Sequence, residues 1–94
     1  MTLYRVVLRC TGIPDSAGAE AATDIAREFE ENRPWHTVVG CRWDGTQLML
    51  EGHNDFDATG LALLDEFSDC IAACVPGTLG YEVSVVSVSQ VEGR

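Results

Sequence analysis

Lysine is absent from this chain of 94 residues, and its six basic residues are all arginine. They stand against 15 Asp and Glu residues, so the formal net charge is −9. Nucleic acids and anionic membrane surfaces are both held by basic patches, and this charge balance argues against either partner. Without lysine, the chain also cannot form a Schiff base through a side-chain amine of its own.

Long apolar runs and targeting signals are absent as well. No apolar run reaches the roughly 18 residues that a transmembrane helix needs, and the first residues, Met1 to Arg5, lack the features of a signal peptide. Phosphate-binding glycine loops and the common hydrolase signatures are missing too. We therefore expect a soluble, cytoplasmic protein with no membrane partner. The chain is long enough for one modest core, which predicts a single domain over 1–94.

Apolar periodicity predicts six elements of secondary structure. Alternation predicts strands over 3–10, 35–43, 46–53 and 81–91. Apolar residues three and four apart predict one helix over 17–32 and another that ends before Pro76. The dipeptide Asp44-Gly45 predicts a two-residue type I′ turn between the second and third strands, which sets His36 opposite His53. In the last strand the alternation changes phase at Val86, which indicates a bulge or a strand end that pairs outside the sheet.

The order βαββαβ predicts an α+β fold, the ferredoxin-like sandwich. Its four-stranded antiparallel sheet has the strand order 4-1-3-2, and both helices cover one face. We expect the first and third strands to be central neighbours that run in the same direction. Both would then end at the edge of the sheet where both helices begin, and this edge would gather polar residues that are distant in the sequence.

That edge holds the first candidate site. His36 and His53 are expected to face each other with Cβ atoms about 4.5–5.5 Å apart, close enough to share Zn²⁺ or another divalent transition metal. Cys10 precedes a helix N-terminus, which favours a nucleophilic thiolate beside His53. With the neighbouring Asn54, the candidate ligand-binding residues are His36, His53, Cys10 and Asn54. The simpler alternatives are two solvated imidazoles, capping of the second helix by Asn54, Asp55 and Asp57, and four reduced cysteines that pack in the core.

The second candidate site is the face of the sheet that no helix covers, termed the open face. It mixes aliphatic side chains with charges of both signs, at Leu3, Arg5, Val7, Arg9, Val38, Arg42, Gln47, Met49, Glu51 and Glu82. Such a surface is too apolar to be only solvated, and its charges can complement those of a second copy. The pattern therefore predicts a homodimer, with a monomer that carries cross-strand ion pairs as the alternative.

In architecture the chain resembles the small regulatory ACT-type domains and the dimeric α/β-barrel monooxygenase-like proteins, which are also βαββαβ. The loop Thr11-Gly12-Ile13-Pro14 is similar in placement to the glycine-bearing ligand loop of ACT domains, although it lacks their Asp-x-Pro-Gly order. Because no catalytic set stands out, we expect a non-catalytic domain that dimerises through its open face and binds a small ligand or a protein partner. The alternative is a small enzyme or a metal-binding module that uses His53 and His36, with Cys10, at the strand-end edge. The sequence indicates no particular cofactor.

Overall fold

The computed structural model describes residues 2–75 and 80–92, which form four strands and two helices. The elements are β1 (Thr2–Thr11), α1 (Asp15–Asn32), β2 (Thr37–Trp43), β3 (Leu48–Asn54), α2 (Leu61–Cys74) and β4 (Glu82–Glu92). The strands form one sheet in the order β2-β3-β1-β4, and every neighbouring pair is antiparallel. This arrangement confirms the α+β fold and the predicted order 4-1-3-2 of a ferredoxin-like sandwich. The helix end predicted at Pro76 lies outside the described residues.

The core lies between one face of the sheet and the two helices. Alternate residues of the central strands, such as Leu8 and Leu50, are fully buried, and so are Phe29 of α1 and Phe67 of α2. Each side chain of this size stabilises the fold by roughly 1.5–3 kcal/mol when it leaves water. Within the described part of the chain, the other face of the sheet has no helix packed against it, so the open face exists as predicted.

The central strands run in opposite directions, so the expectation that β1 and β3 run parallel is wrong. Cys10, near the end of β1, pairs with Leu48. Tyr4, near its start, pairs with Asn54. The reason is topological, because the α1 crossover returns the chain in the direction of β1 for β2, and the hairpin then reverses it for β3. Cys10 therefore lies at the opposite end of the sheet from His53, and α1 and α2 begin at opposite ends as well.

The β2–β3 hairpin turns one residue later than predicted. Trp43 pairs with Leu48 instead of with Thr46. The carboxylate of Asp44 accepts hydrogen bonds from the backbone N–H groups of Thr46 and Gln47, both at 2.9 Å, and these bonds stabilise the later turn. When the turn moves by one residue, each residue of β2 pairs with a residue of β3 two positions further along. Side chains alternate between the two faces, so a shift of two positions leaves those nearest the turn on their predicted faces.

A bulge in β2 reverses the faces of the residues before it, so the predicted pairing of His36 with His53 is wrong. The register against β3 shifts between Thr37 and Gly40, where β2 has one extra residue. Val38 adopts a φ of 51° at this bulge. His53 therefore pairs with Thr37 on the open face. His36, one residue earlier, points to the side that the helices cover, where it is buried.

The other outer strand, β4, has the bulge that its change of phase predicts. Ser87 and Val85 pair with consecutive residues of β1, which leaves Val86 between them outside the ladder. The bulge residues of both outer strands are exposed, Val38 by 67% and Val86 by 49%. Both edges of the sheet are therefore irregular, and this matters for how the chain can associate.

Candidate functional site

His36 belongs to a buried polar cluster between the start of β2 and α2. Its side chain is fully buried. Asn54 donates a hydrogen bond from Nδ2 to Nδ1 of the ring over 3.3 Å, and Nε2–H donates to the carboxylate of Glu66. The ring also packs edge-on against Phe29, with 5.8 Å between the centroids. Both ring nitrogens are occupied, so His36 has no free nitrogen for a metal ion or for proton transfer to a substrate.

The same cluster holds the start of α2. Oδ1 of Asn54 accepts hydrogen bonds from the backbone N–H groups of Phe56 and Asp57, at 3.1 and 2.7 Å. The carboxylate of Asp57 in turn accepts from the N–H groups of Ala62 and Leu63, at 3.2 and 2.9 Å. These groups belong to the first turn of α2 and have no acceptor within the helix. The predicted capping of this helix is confirmed for Asp57, and Asn54 positions Asp57. Asp55 is exposed and forms no side-chain hydrogen bond within the described residues, so the prediction is wrong for Asp55.

Glu66 is the member of this cluster that the sequence analysis missed. The apolar spacing of α2 favours an exposed position for Glu66, yet its side chain is only 19% exposed. Its Oε1 accepts hydrogen bonds from the indole of Trp35 at 3.1 Å and from the guanidinium of Arg33 at 3.4 Å. No local pattern indicates this contact, because thirty positions separate Glu66 from His36.

His53 lies on the open face, where it pairs with Arg5 of β1 and Thr37 of β2. Such a line of paired residues across the strands is termed a cross-strand row. Nε2 of His53 lies 3.6 Å from Oε2 of Glu51 and has no hydrogen-bond partner within the residues that the structure describes. The guanidinium of Arg5 donates to the other oxygen of that carboxylate at 2.6 Å. This hydrogen bond lowers the pKa of Glu51 and raises that of Arg5. The predicted pairing of His53 with His36 is wrong, because the two imidazoles lie on opposite faces of the sheet.

Cys10 is buried, and the structure does not bring it near His53. Burial raises the pKa of its thiol to about 11, which opposes formation of a nucleophilic thiolate. All four cysteines are free and lie in or against the core, which confirms the prediction of core thiols. Over 2–75 and 80–92, no group of three or more His, Cys, Asp or Glu side chains is placed to hold a metal ion.

A groove of 470 Å³ runs over β2 and β3 on the open face and is termed the open-face groove. Its lining includes Arg5, Val7, Val38, Gly40, Arg42, Met49 and Glu51. Gly40 opens the groove, because a Cβ at this position would have no atom within 4 Å. Aliphatic side chains, one carboxylate and two guanidinium groups thus meet in one concavity.

Among known proteins, no family model, no curated protein and no solved structure matches the chain. Neither α1 nor α2, the two helices in the described residues, is both long and apolar enough to cross a membrane.

Proposed function

We propose that the chain is a non-catalytic binding domain that forms a homodimer through its open face. The observation that carries this proposal is the charge of that face. Of the five arginines in the described residues, three lie there, namely Arg5, Arg9 and Arg42. They share the face with Glu51 and Glu82, so it is close to neutral in a chain whose net charge is −9. Two copies of this acidic protein repel each other least when they meet through such a face.

The two outer strands argue against association along the edges of the sheet. β2 is bulged at Val38 and β4 at Val86, and both valines are exposed. Bulges interrupt the row of free N–H and C=O groups and increase the local twist, so another strand pairs poorly with such an edge. Packing of one open face on another uses side chains and needs no backbone hydrogen bonds along these edges.

A two-fold axis along the strands, between β1 and β3, brings opposite charges of the two copies together. Under this axis β2 of one copy lies over β4 of the other. Because the axis is parallel to the strands, each cross-strand row lies over the same row of the other copy. Arg42 and Met49 are partners in one such row. The row continues through Arg9 to Ser84 on β4. Arg42 therefore lies over Ser84 of the partner subunit and beside Glu82 of the partner subunit, across the roughly 10 Å that separates packed sheets.

Charge reversal tests this arrangement. In sedimentation equilibrium, we expect Arg42→Glu and Glu82→Arg each to weaken the dimer about tenfold or more, because each variant sets like charges against each other. The double variant exchanges the two charges and should return the dissociation constant close to the wild-type value. Arg27→Glu on the exposed side of α1 changes the net charge as Arg42→Glu does and is the matched control. A wild-type chain that remains monomeric, or a double variant as weak as both parents, contradicts the proposal.

A small enzyme or a metal-binding module gains no support from the geometry. The predicted enzyme uses His53 with His36 or Cys10 as a helper, and the predicted metal site uses His36 and His53. His36 is bonded at both ring nitrogens, His53 lies on the open face, and Cys10 lies at the other end of the sheet.

A further inference from the structure

We infer that the open-face groove binds a small amphipathic anion, namely an organic carboxylate with an apolar body. The inference rests on the binding function proposed above, but only the closure of the groove by a second copy depends on the dimer. The floor and the charge of the groove are properties of a single copy.

A missing side chain creates the space in the groove. Gly40 has no positive φ, so the backbone does not require glycine there. A Cβ at this position would touch nothing, so close packing does not require glycine either. Val7 and Met49, both partly buried, face the space from β1 and β3. The groove thus has an apolar floor next to an unfilled strand position, which suits the hydrocarbon part of a ligand.

Arg42 supplies the net charge of the groove. The other guanidinium, that of Arg5, is held by Glu51 at 2.6 Å, so these two charges offset each other. In the part of the chain that the structure describes, Arg42 forms no ion pair. One positive charge therefore remains beside the apolar floor. A guanidinium can bind a carboxylate through two parallel hydrogen bonds, so an anion is favoured over a neutral or cationic ligand.

The proposed dimer would close this groove without filling it. Gly40 shares a cross-strand row with Glu51 and Val7, and the row ends at Ser87 on β4. Under the two-fold axis, Ser87 of the partner subunit then lies over Gly40. A serine is too short to fill the groove, and its hydroxyl can donate to an anion. Arg42 has five N–H donors; in a single copy they are free for a ligand carboxylate, and in the dimer Glu82 of the partner subunit competes with the ligand for them.

Octanoate is a suitable probe, with octylamine and octanol as controls that keep the chain length and change the charge. Isothermal titration and the NMR shifts of the Met49 methyl group should show one octanoate per chain, below its micellar concentration. We expect octylamine and octanol to bind about tenfold more weakly or not at all. Equal binding of octanoate and octylamine, or no shift at Met49, overturns the inference.

Two variants locate the site. Gly40→Val fills the groove with a residue that strands favour, and it should abolish octanoate binding while the protein stays folded. Arg42→Gln should weaken binding about tenfold. Arg27→Gln removes an equal charge from exposed α1 and should leave binding unchanged. Octanoate binding that survives in Gly40→Val overturns the inference.

Glu82→Arg separates this inference from the proposed dimer, because Glu82 does not line the groove. If Glu82→Arg is monomeric and still binds octanoate, both proposals are supported. If the wild-type chain is monomeric and binds octanoate, the dimer is wrong and the groove stands. If the wild-type chain dimerises and does not bind octanoate, the proposed ligand site is wrong and the proposed dimer is supported.

Discussion

His36 and Glu66 stand thirty positions apart and are joined by a hydrogen bond from the imidazole Nε2 to the carboxylate. The bond connects the segment that enters β2 with the middle of α2. Because the imidazole is fully buried, removal of the carboxylate takes away the acceptor of its Nε2–H group. The cluster that looks most like a catalytic site in this chain is thus a buried connection between two elements.

The first prediction concerns this connection. Glu66→Ala should lower the free energy of unfolding by about 1–3 kcal/mol, since it leaves Nε2 of His36 buried without an acceptor. Glu31→Ala, an exposed change on α1, should alter it by less than about 0.5 kcal/mol. Urea unfolding followed by circular dichroism measures both values. Equal effects of the two substitutions would show that the buried bond adds nothing.

The fold could be predicted from the sequence because its signals are local. Alternation in the strands and 3–4 spacing in the helices follow from which side chains face the core, and crossover rules restrict the topology. The phase change at Val86 predicted the β4 bulge from two adjacent valines, Val85 and Val86. Val38 and Val39 are the same kind of signal in β2, and they mark the bulge that the sequence analysis missed.

The candidate site was predicted less well because it depends on register. One extra residue in β2 is enough to move His36 to the helix side, away from His53. The contact of His36 with Glu66 joins residues on different elements, and no spacing rule predicts it. The open face needed only the alternation of the strands, and the structure confirms it.

The second prediction concerns two glycines with opposite surroundings. A Cβ on Gly18 of α1 would come within 2.1 Å of the Trp43 ring, whereas a Cβ on Gly40 would meet no atom within 4 Å. Gly18→Ala should therefore destabilise the protein by about 1–3 kcal/mol through overpacking, although alanine is the better helix former. Gly40→Ala should leave the stability unchanged or raise it slightly. Thermal unfolding of the two variants side by side makes the comparison, and a stabilised Gly18→Ala variant would refute the close contact.

The third prediction concerns the backbone at the β2 bulge. Val38 has a φ of 51°, a region that costs a side chain roughly 1–2 kcal/mol and that asparagine tolerates better. Because Val38 is 67% exposed, Val38→Asn should lose little burial and stabilise the protein by about 1 kcal/mol. Val86→Asn, at the exposed bulge of β4, is the matched control and should not stabilise. Chemical denaturation at low protein concentration keeps self-association out of the measurement, and a loss of stability in Val38→Asn would contradict the prediction.

The fourth prediction concerns the core thiols. When burial raises the pKa of Cys10 from 9.0 to about 11, its thiolate fraction near pH 8 falls roughly a hundredfold. Burial, with neighbouring thiols, also raises the pKa of Cys41 to about 12. Iodoacetamide should therefore label both cysteines slowly in the folded protein and rapidly in urea, as mass spectrometry can follow for each residue. Rapid labelling of Cys10 in the native state would indicate a reactive thiolate and contradict the burial of this side chain.

The fifth prediction concerns the pH dependence of the β2–β3 turn. The backbone N–H groups of Thr46 and Gln47 donate to the Asp44 carboxylate and lower its pKa from 3.8 to about 2. A carboxyl group whose pKa is lowered by folding stabilises the protein fully above its unfolded pKa, and this contribution is lost as the pH falls through the folded value. The hairpin should therefore weaken between about pH 4 and pH 2. Asp44→Asn keeps an oxygen acceptor but carries no charge, so its turn should show no such change in this range. The NMR titration of the Asp44 carboxyl carbon gives its pKa directly. A midpoint near 3.8 would mean that the hydrogen bonds of the turn do not stabilise the ionised carboxylate.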